Sequence, residues 1–166
     1  DVFPLIAKLR PDLEGRIALM FSELNLEEIT VILERLKVPK LVFERTKRLH
    51  FLIENNPTNT ELRLYRNSLG EEVVTHMEIL SALGKDITLM AKSLQYPYGI
   101  SCLIDGDWIM KRTGLSPGVR LGRLKDWLFR LQIERDYQCI DQMETALCTI
   151  PWQNGNPDEW PKSKWA

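Results

Sequence analysis

Apolar residues recur three and four apart along almost all of this 166-residue chain, and each run stops at Pro, Gly or Asn. That spacing places them on one face of an α-helix, so the pattern predicts an all-α protein. Asp12 can cap a first helix carrying Ile17, Met20, Phe21 and Leu24. Asn25 opens a second, with Glu27 and Glu28 in the first turn, where the positive end of the helix dipole favours acids. Its apolar face is Ile29, Ile32, Leu33 and Leu36, and Val38-Pro39 breaks it. Residues 40–54 read as a third helix, ended by Asn55-Asn56-Pro57. Thr58 or Asn59 starts a fourth, closed near Gly70. Residues 71–83 form a fifth, stopped by Gly84 in the position after the cap. Asp86 caps a sixth, through about Leu94.

The texture changes at Tyr96-Pro97-Tyr98-Gly99, which cannot continue a helix. Residues 100–104 are short, apolar and strand-like, and Asp105-Gly106-Asp107 is a turn. Helices follow over 107–113 and 117–136, joined by Gly114-Leu115-Ser116, and a last one over about 141–148. The expected architecture is two small helical subdomains in tandem, residues 1–95 and 96–150, with a Pro- and Trp-rich extension over 151–166.

With 44% hydrophobic and 27% charged residues the chain has the composition of a soluble globular protein. No apolar run approaches the ~20 residues of a membrane helix, so no membrane partner is expected. The opening Asp1-Val2-Phe3-Pro4 has no secretory pattern and no initiator Met, and reads as part of a longer polypeptide. Cys102, Cys139 and Cys148 are odd in number and widely spaced, which fits a reducing compartment: the cytoplasm, or an organellar matrix in a eukaryote.

The net charge of −1 hides a segregation. Residues 111–135 carry +5, from Lys111, Arg112, Arg120, Arg123, Lys125, Arg130 and Arg135 against Asp126 and Glu134. A second stretch of +5 runs from Arg35 to Arg48 and includes Lys40, Arg45, Lys47 and Arg48. Two separated positive patches on a nearly neutral protein point to an extended anionic partner.

Catalytic signatures are missing: there is no phosphate-binding Gly-rich loop, no G-x-S-x-G and no H-E-x-x-H. Paired carboxylates such as Asp105 and Asp107 hold two metal ions in some nucleotidyl-transfer sites. Here the glycine between them favours a turn, and Asp107 is placed to cap the next helix. His50 and His76 stand alone. No residue is assigned a catalytic or metal-binding role.

Residues 108–131 read physically as helix, tight turn, helix. Gly114 can take the left-handed conformation that ends the first helix, Ser116 is a candidate N-cap, and Pro117 suits the first helical position. Gly118 has no side chain to block a ligand. The N–H groups of Gly118, Val119 and Arg120 would be unpaired donors at a helix start, a seat for phosphate. Leu121, Leu124, Leu128 and Leu131 form one apolar stripe, flanked by Arg120, Arg123 and Arg130. Gly122 would permit close packing against a neighbouring helix.

The step 104–110 (Ile-Asp-Gly-Asp-Trp-Ile-Met), then Thr113-Gly114-Leu115-Ser116-Pro117-Gly118, then Leu121-Gly122-Arg123-Leu124 resembles the tail of the bacterial-type (class II) tRNA nucleotidyltransferases, the CCA-adding enzymes, and their poly(A) polymerase relatives. Upstream, residues 16–21 resemble the start of that family's post-catalytic helical region, and residues 33–39 with the basic helix after them resemble its body domain. Pro151-Trp152 and Trp160-Pro161 lie outside the resemblance. It implies an RNA-gripping body and tail that hold the tRNA elbow and T-arm side. It also implies that the catalytic head and the nucleotide-selecting neck lie elsewhere in the parent polypeptide. Mg²⁺ and ATP or CTP are then cofactors of the parent, with none bound by this chain. The RNA-contacting candidates are Gly118, Val119, Arg120, Arg123, Arg130, Lys111 and Arg112, with Lys40, Arg45, Lys47 and Arg48 as a second patch. Two alternatives stay open. One is a helix–hairpin–helix DNA-binding module. The other is a protein-interaction domain anchored by Trp152, Trp160 and Trp165.

Overall fold

A computed structural model describes residues 3–7, 9 and 12–165, and among these residues the protein is all-helical, with no strand. The helices are α1 (Phe3–Ile6), α2 (Leu13–Met20), α3 (Leu26–Arg35), α4 (Lys40–Glu54), α5 (Leu62–Leu69), α6 (Glu72–Ala82), α7 (Thr88–Ser93), α8 (Gly106–Thr113), α9 (Val119–Arg135) and α10 (Ile140–Thr149). A 3₁₀ turn follows at Pro157–Glu159. None of these helices is long and apolar enough to cross a membrane.

The local signals act through specific hydrogen bonds. Asp12 accepts from Gly15 N at 2.6 Å at the start of α2. Asn25 and Glu28 form a reciprocal capping box on α3. Gly84 is left-handed (φ +71°), and the bonds Lys85 N to Leu80 O and Gly84 N to Ser81 O close the end of α6. Asp136 ends α9 in the same way at φ +55°, with Tyr137 N donating to Gln132 O.

Several expectations are corrected. α5 begins at Leu62, after a turn over 59–61, rather than at Thr58 or Asn59. Asp86 does not cap α7 directly; its carboxylate takes the N–H and hydroxyl of Thr88, which holds its pKa below the usual carboxylate value, and Ile87 occupies the cap position. Residues 100–104 form no strand, because the Gln132 amide satisfies that backbone instead. It accepts from Leu103 N and donates to Ser101 O, each at 2.9 Å.

The described residues divide into two compact units that do not follow chain order. The first takes the described residues up to Thr58 together with Glu71–Leu94; the second takes Asn59–Gly70 and Gln95–Trp165. Residues 59–70, placed by the sequence within 1–95, thus belong with the second unit, and residues 151–165 are part of it as well.

In the first unit α2 packs on α4 and α6, around Ala18, Leu19, Leu49, Ile53 and Ile79. His50 and His76 are both fully buried there. His50 Nε2 lies 3.0 Å from Phe21 O, and His76 Nε2 lies 2.8 Å from Leu52 O. Both isolated histidines therefore serve as ties between backbone segments. Burial, reinforced by the Lys85 charge, outweighs the Leu52 hydrogen bond and lowers the His76 pKa to about 4.

In the second unit α9 is the central helix, packed against α5, α8, α10 and the 3₁₀ turn. Its Leu121, Leu124 and Leu128 meet Ile104, Ile109, Met143 and Trp160 in one core. Leu131 is partly buried beside them, so the apolar stripe read from the sequence faces inward. Tyr65 of α5 is fully buried and meets the Trp165 ring edge-on, with centroids 5.2 Å apart.

Candidate nucleic-acid interface

The hairpin of α8 and α9 starts at Asp105, not at Asp107. Asp105 is extended (φ −110°, ψ −179°) and its carboxylate accepts from Trp108 N at 2.8 Å. Asp107 falls inside the first helical turn. The Asp105 carboxylate is thus committed to the helix start, and among the described residues no group of three or more His, Cys, Asp or Glu could hold a metal ion. Gly114 ends α8 at φ +72°, the left-handed conformation read from the sequence.

The start of α9 differs from expectation. Ser116 is not its N-cap and Pro117 is not its first residue; Gly118 is the cap and Val119 the first helical position. Leu115 packs partly into the core, which uses the length of the turn before a helix can begin. The first intrahelical bond runs from Gly122 N to Gly118 O. The N–H groups of residues 118–121 therefore have no partner within the helix. A Cβ at Gly118 would meet nothing within 4 Å, and Val119 is 71% exposed.

Gly122 is also corrected. No neighbouring helix packs against it: a Cβ there meets nothing within 4 Å, and the residue is exposed.

The arginine flank of α9 is largely engaged by the C-terminal segment. Arg120 donates to the carbonyls of Trp152 and Gln153, both at 2.8 Å, and its guanidinium lies 5.1 Å from the Trp160 ring centroid. Arg123 pairs with Asp158 at 3.0 Å. Arg130 pairs with Glu134 at 2.8 Å and donates to Lys162 O at 3.3 Å. Arg112 pairs with Glu144 at 3.1 Å and stacks over Trp108 at 4.0 Å. Lys111 is exposed. Arg120 and Arg130 thus anchor residues 150–165 to α9, while Arg123, in an exposed pair, stays the more available cation.

The second basic stretch divides likewise. Arg45 pairs with Glu14 and Glu72 at 3.7 and 3.1 Å, and Arg48 with Glu72 at 3.3 Å. Lys47 lies over the Phe43 ring. Lys40 is exposed at the start of α4. The stretch faces its own unit more than its charge count suggested.

Sequence reasoning missed Lys162 and Lys164, which come alongside Gly122 and Arg123 of α9. The available signal was the pair of tryptophans around them. Trp160 and Trp165 are buried, and a chain pinned at both must run along the unit between them.

Comparison with protein-family models, curated proteins and solved structures found no match for this chain.

Proposed function

We propose that this chain is the RNA-holding part of a tRNA nucleotidyltransferase, a CCA-adding enzyme or poly(A) polymerase relative. On this reading it positions tRNA for template-independent addition to the 3′ end. The catalytic head, with its Mg²⁺ and ATP or CTP, is carried by other residues of the parent polypeptide. The observation that carries the proposal is the open α9 surface at Gly118, Val119 and Gly122, bordered by Arg123, Lys162 and Lys164. It lies in the segment that resembles the family's tail.

The chemistry is recognition of the phosphate backbone. Cations neutralise phosphates and release counterions, and this grip carries no base identity. With Arg112, Arg120 and Arg130 engaged inside the unit and Arg123 in an exposed pair, the available cations are few. We expect a logarithmic salt slope of roughly −2 to −3, the value for about three neutralised phosphates.

The experiment is a titration of this chain with a tRNA transcript lacking its CCA end, at 50 and 200 mM salt, with duplex DNA as competitor. The expected result is salt-dependent binding that duplex DNA competes poorly. Binding that ignores salt, or none at either concentration, overturns the proposal. Preference for duplex DNA would favour the helix–hairpin–helix alternative. The protein-interaction alternative, with Trp152, Trp160 and Trp165 as anchors, predicts no RNA binding at either salt concentration; Trp160 and Trp165 are buried within their own unit and Trp152 is partly exposed.

A further inference from the structure

We infer that the C-terminal segment and α9 together build a discrete phosphodiester-binding groove, with Gly122 as its floor and Arg123, Lys162 and Lys164 as its cations. The inference rests on the RNA-holding reading and deepens it by assigning the site.

The groove has a volume of about 590 Å³ and is lined by residues 119, 122, 123 and 126 of α9 and 162–164 of the C-terminal segment. That is the size of sites that take nucleotide-sized ligands. Three of the seven lining residues are cationic and one is acidic. The acid, Asp126, is already satisfied: Ser163 donates its N–H at 3.2 Å and its hydroxyl to the same carboxylate. That clamp also fixes the backbone between the two lysines. Arg130 holds the carbonyl of Lys162 from the other side. Trp160 and Trp165, both buried, pin the ends of the segment. The lysines therefore project from an ordered strap rather than from a free tail, which lowers the entropy lost on binding.

Two features suit the groove to a phosphodiester. The missing side chain at Gly122 lets a sugar–phosphate approach the helix, since nothing lies within 4 Å of the Cβ position. Arg123 already holds an anion, the Asp158 carboxylate, in an exposed pair. A phosphodiester oxygen would exchange for that carboxylate at Arg123 and gain Lys162 and Lys164 as further partners.

The test uses the whole chain and the same tRNA transcript. Gly122→Leu fills the groove without changing charge. The position is open and helical, so the variant should fold at least as well as the parent; a thermal melt checks this. Its affinity should fall roughly tenfold. Lys162→Ala with Lys164→Ala should flatten the salt slope by about one to two, as expected when one or two phosphate contacts are lost. Asp158→Asn should tighten binding by releasing Arg123. If tRNA binds the parent chain in a salt-dependent way and G122L and the double lysine variant bind it equally well, the groove is overturned and the RNA-holding reading stands. If the parent chain binds no RNA, both fall.

Discussion

At the scale of single residues, the backbone at Gly114 and the buried ring of His76 show how one side chain sets a local free energy. Gly114 sits at φ +72° with open space around its Cβ position, so only the backbone conformation opposes a side chain. Gly114→Ala should cost about 1 to 2 kcal/mol, the penalty of a left-handed L-residue, read as a lower urea midpoint with an unchanged slope. His76 is neutral in the fold, with its pKa lowered to about 4 by burial, against 6.5 for an ordinary histidine. The unfolded chain therefore binds the extra proton between pH 6.5 and 4. Stability from this group is complete above pH 6.5 and falls as pH drops through that window, by on the order of 3 kcal/mol in all. An NMR titration of the His76 ring, with unfolding midpoints at pH 7 and 5, checks both the position and the sign. A ring titrating near 6.5 would exclude it.

At the scale of helices, the sequence was most legible where a helix end depends on one residue. Asp12, Asn25, Gly84 and Gly114 act as their residue types require, and α4 spans the 40–54 window set by Pro39 and Asn55. It was least legible where distant segments decide. Ser116-Pro117 has the local chemistry of a helix start, yet Leu115 is drawn toward the core and the helix waits until Val119. Residues 120, 123 and 130 read as a flank offered to solvent, because spacing cannot show carbonyls arriving from more than thirty positions downstream. Arg120 is the clearest case, holding Trp152 O and Gln153 O with one nitrogen. Arg120→Met keeps the stem packed and removes both bonds. Residues 150–156 should then be cleaved by a nonspecific protease several-fold faster at equal global stability. Unchanged cleavage would mean that core packing of Ile150, Trp152 and Trp160 holds the segment without Arg120.

At the scale of the molecule, the unit that carries the candidate site is assembled from two stretches of chain, and the shorter one is decisive. Within residues 59–70, Tyr65 packs on Trp165, Ser68 accepts from Trp165 N at 2.9 Å, and Arg63 pairs with Asp136 at 3.2 Å, just past the end of α9. Arg66, itself buried, donates to Tyr96 O and stacks on Tyr98. A polypeptide cut at residue 95 keeps the α8–α9 hairpin but lacks all five contacts. It also leaves Trp165 without the ring that covers it, and the strap between Trp160 and Trp165 with only one pinned end. Tyr65→Ala tests the same dependence inside the whole chain. Emptying a fully buried aromatic site should cost about 3 to 5 kcal/mol. It should also lower amide protection in α9 and in residues 157–165, measured by hydrogen exchange. If protection there is unchanged, α5 is a passenger and residues 95–165 should fold alone, with the near-UV signal of their tryptophans intact. If protection falls, the groove beside Gly122 depends on a helix encoded more than fifty residues before it, and tRNA binding by Tyr65→Ala should weaken although no cation has been touched.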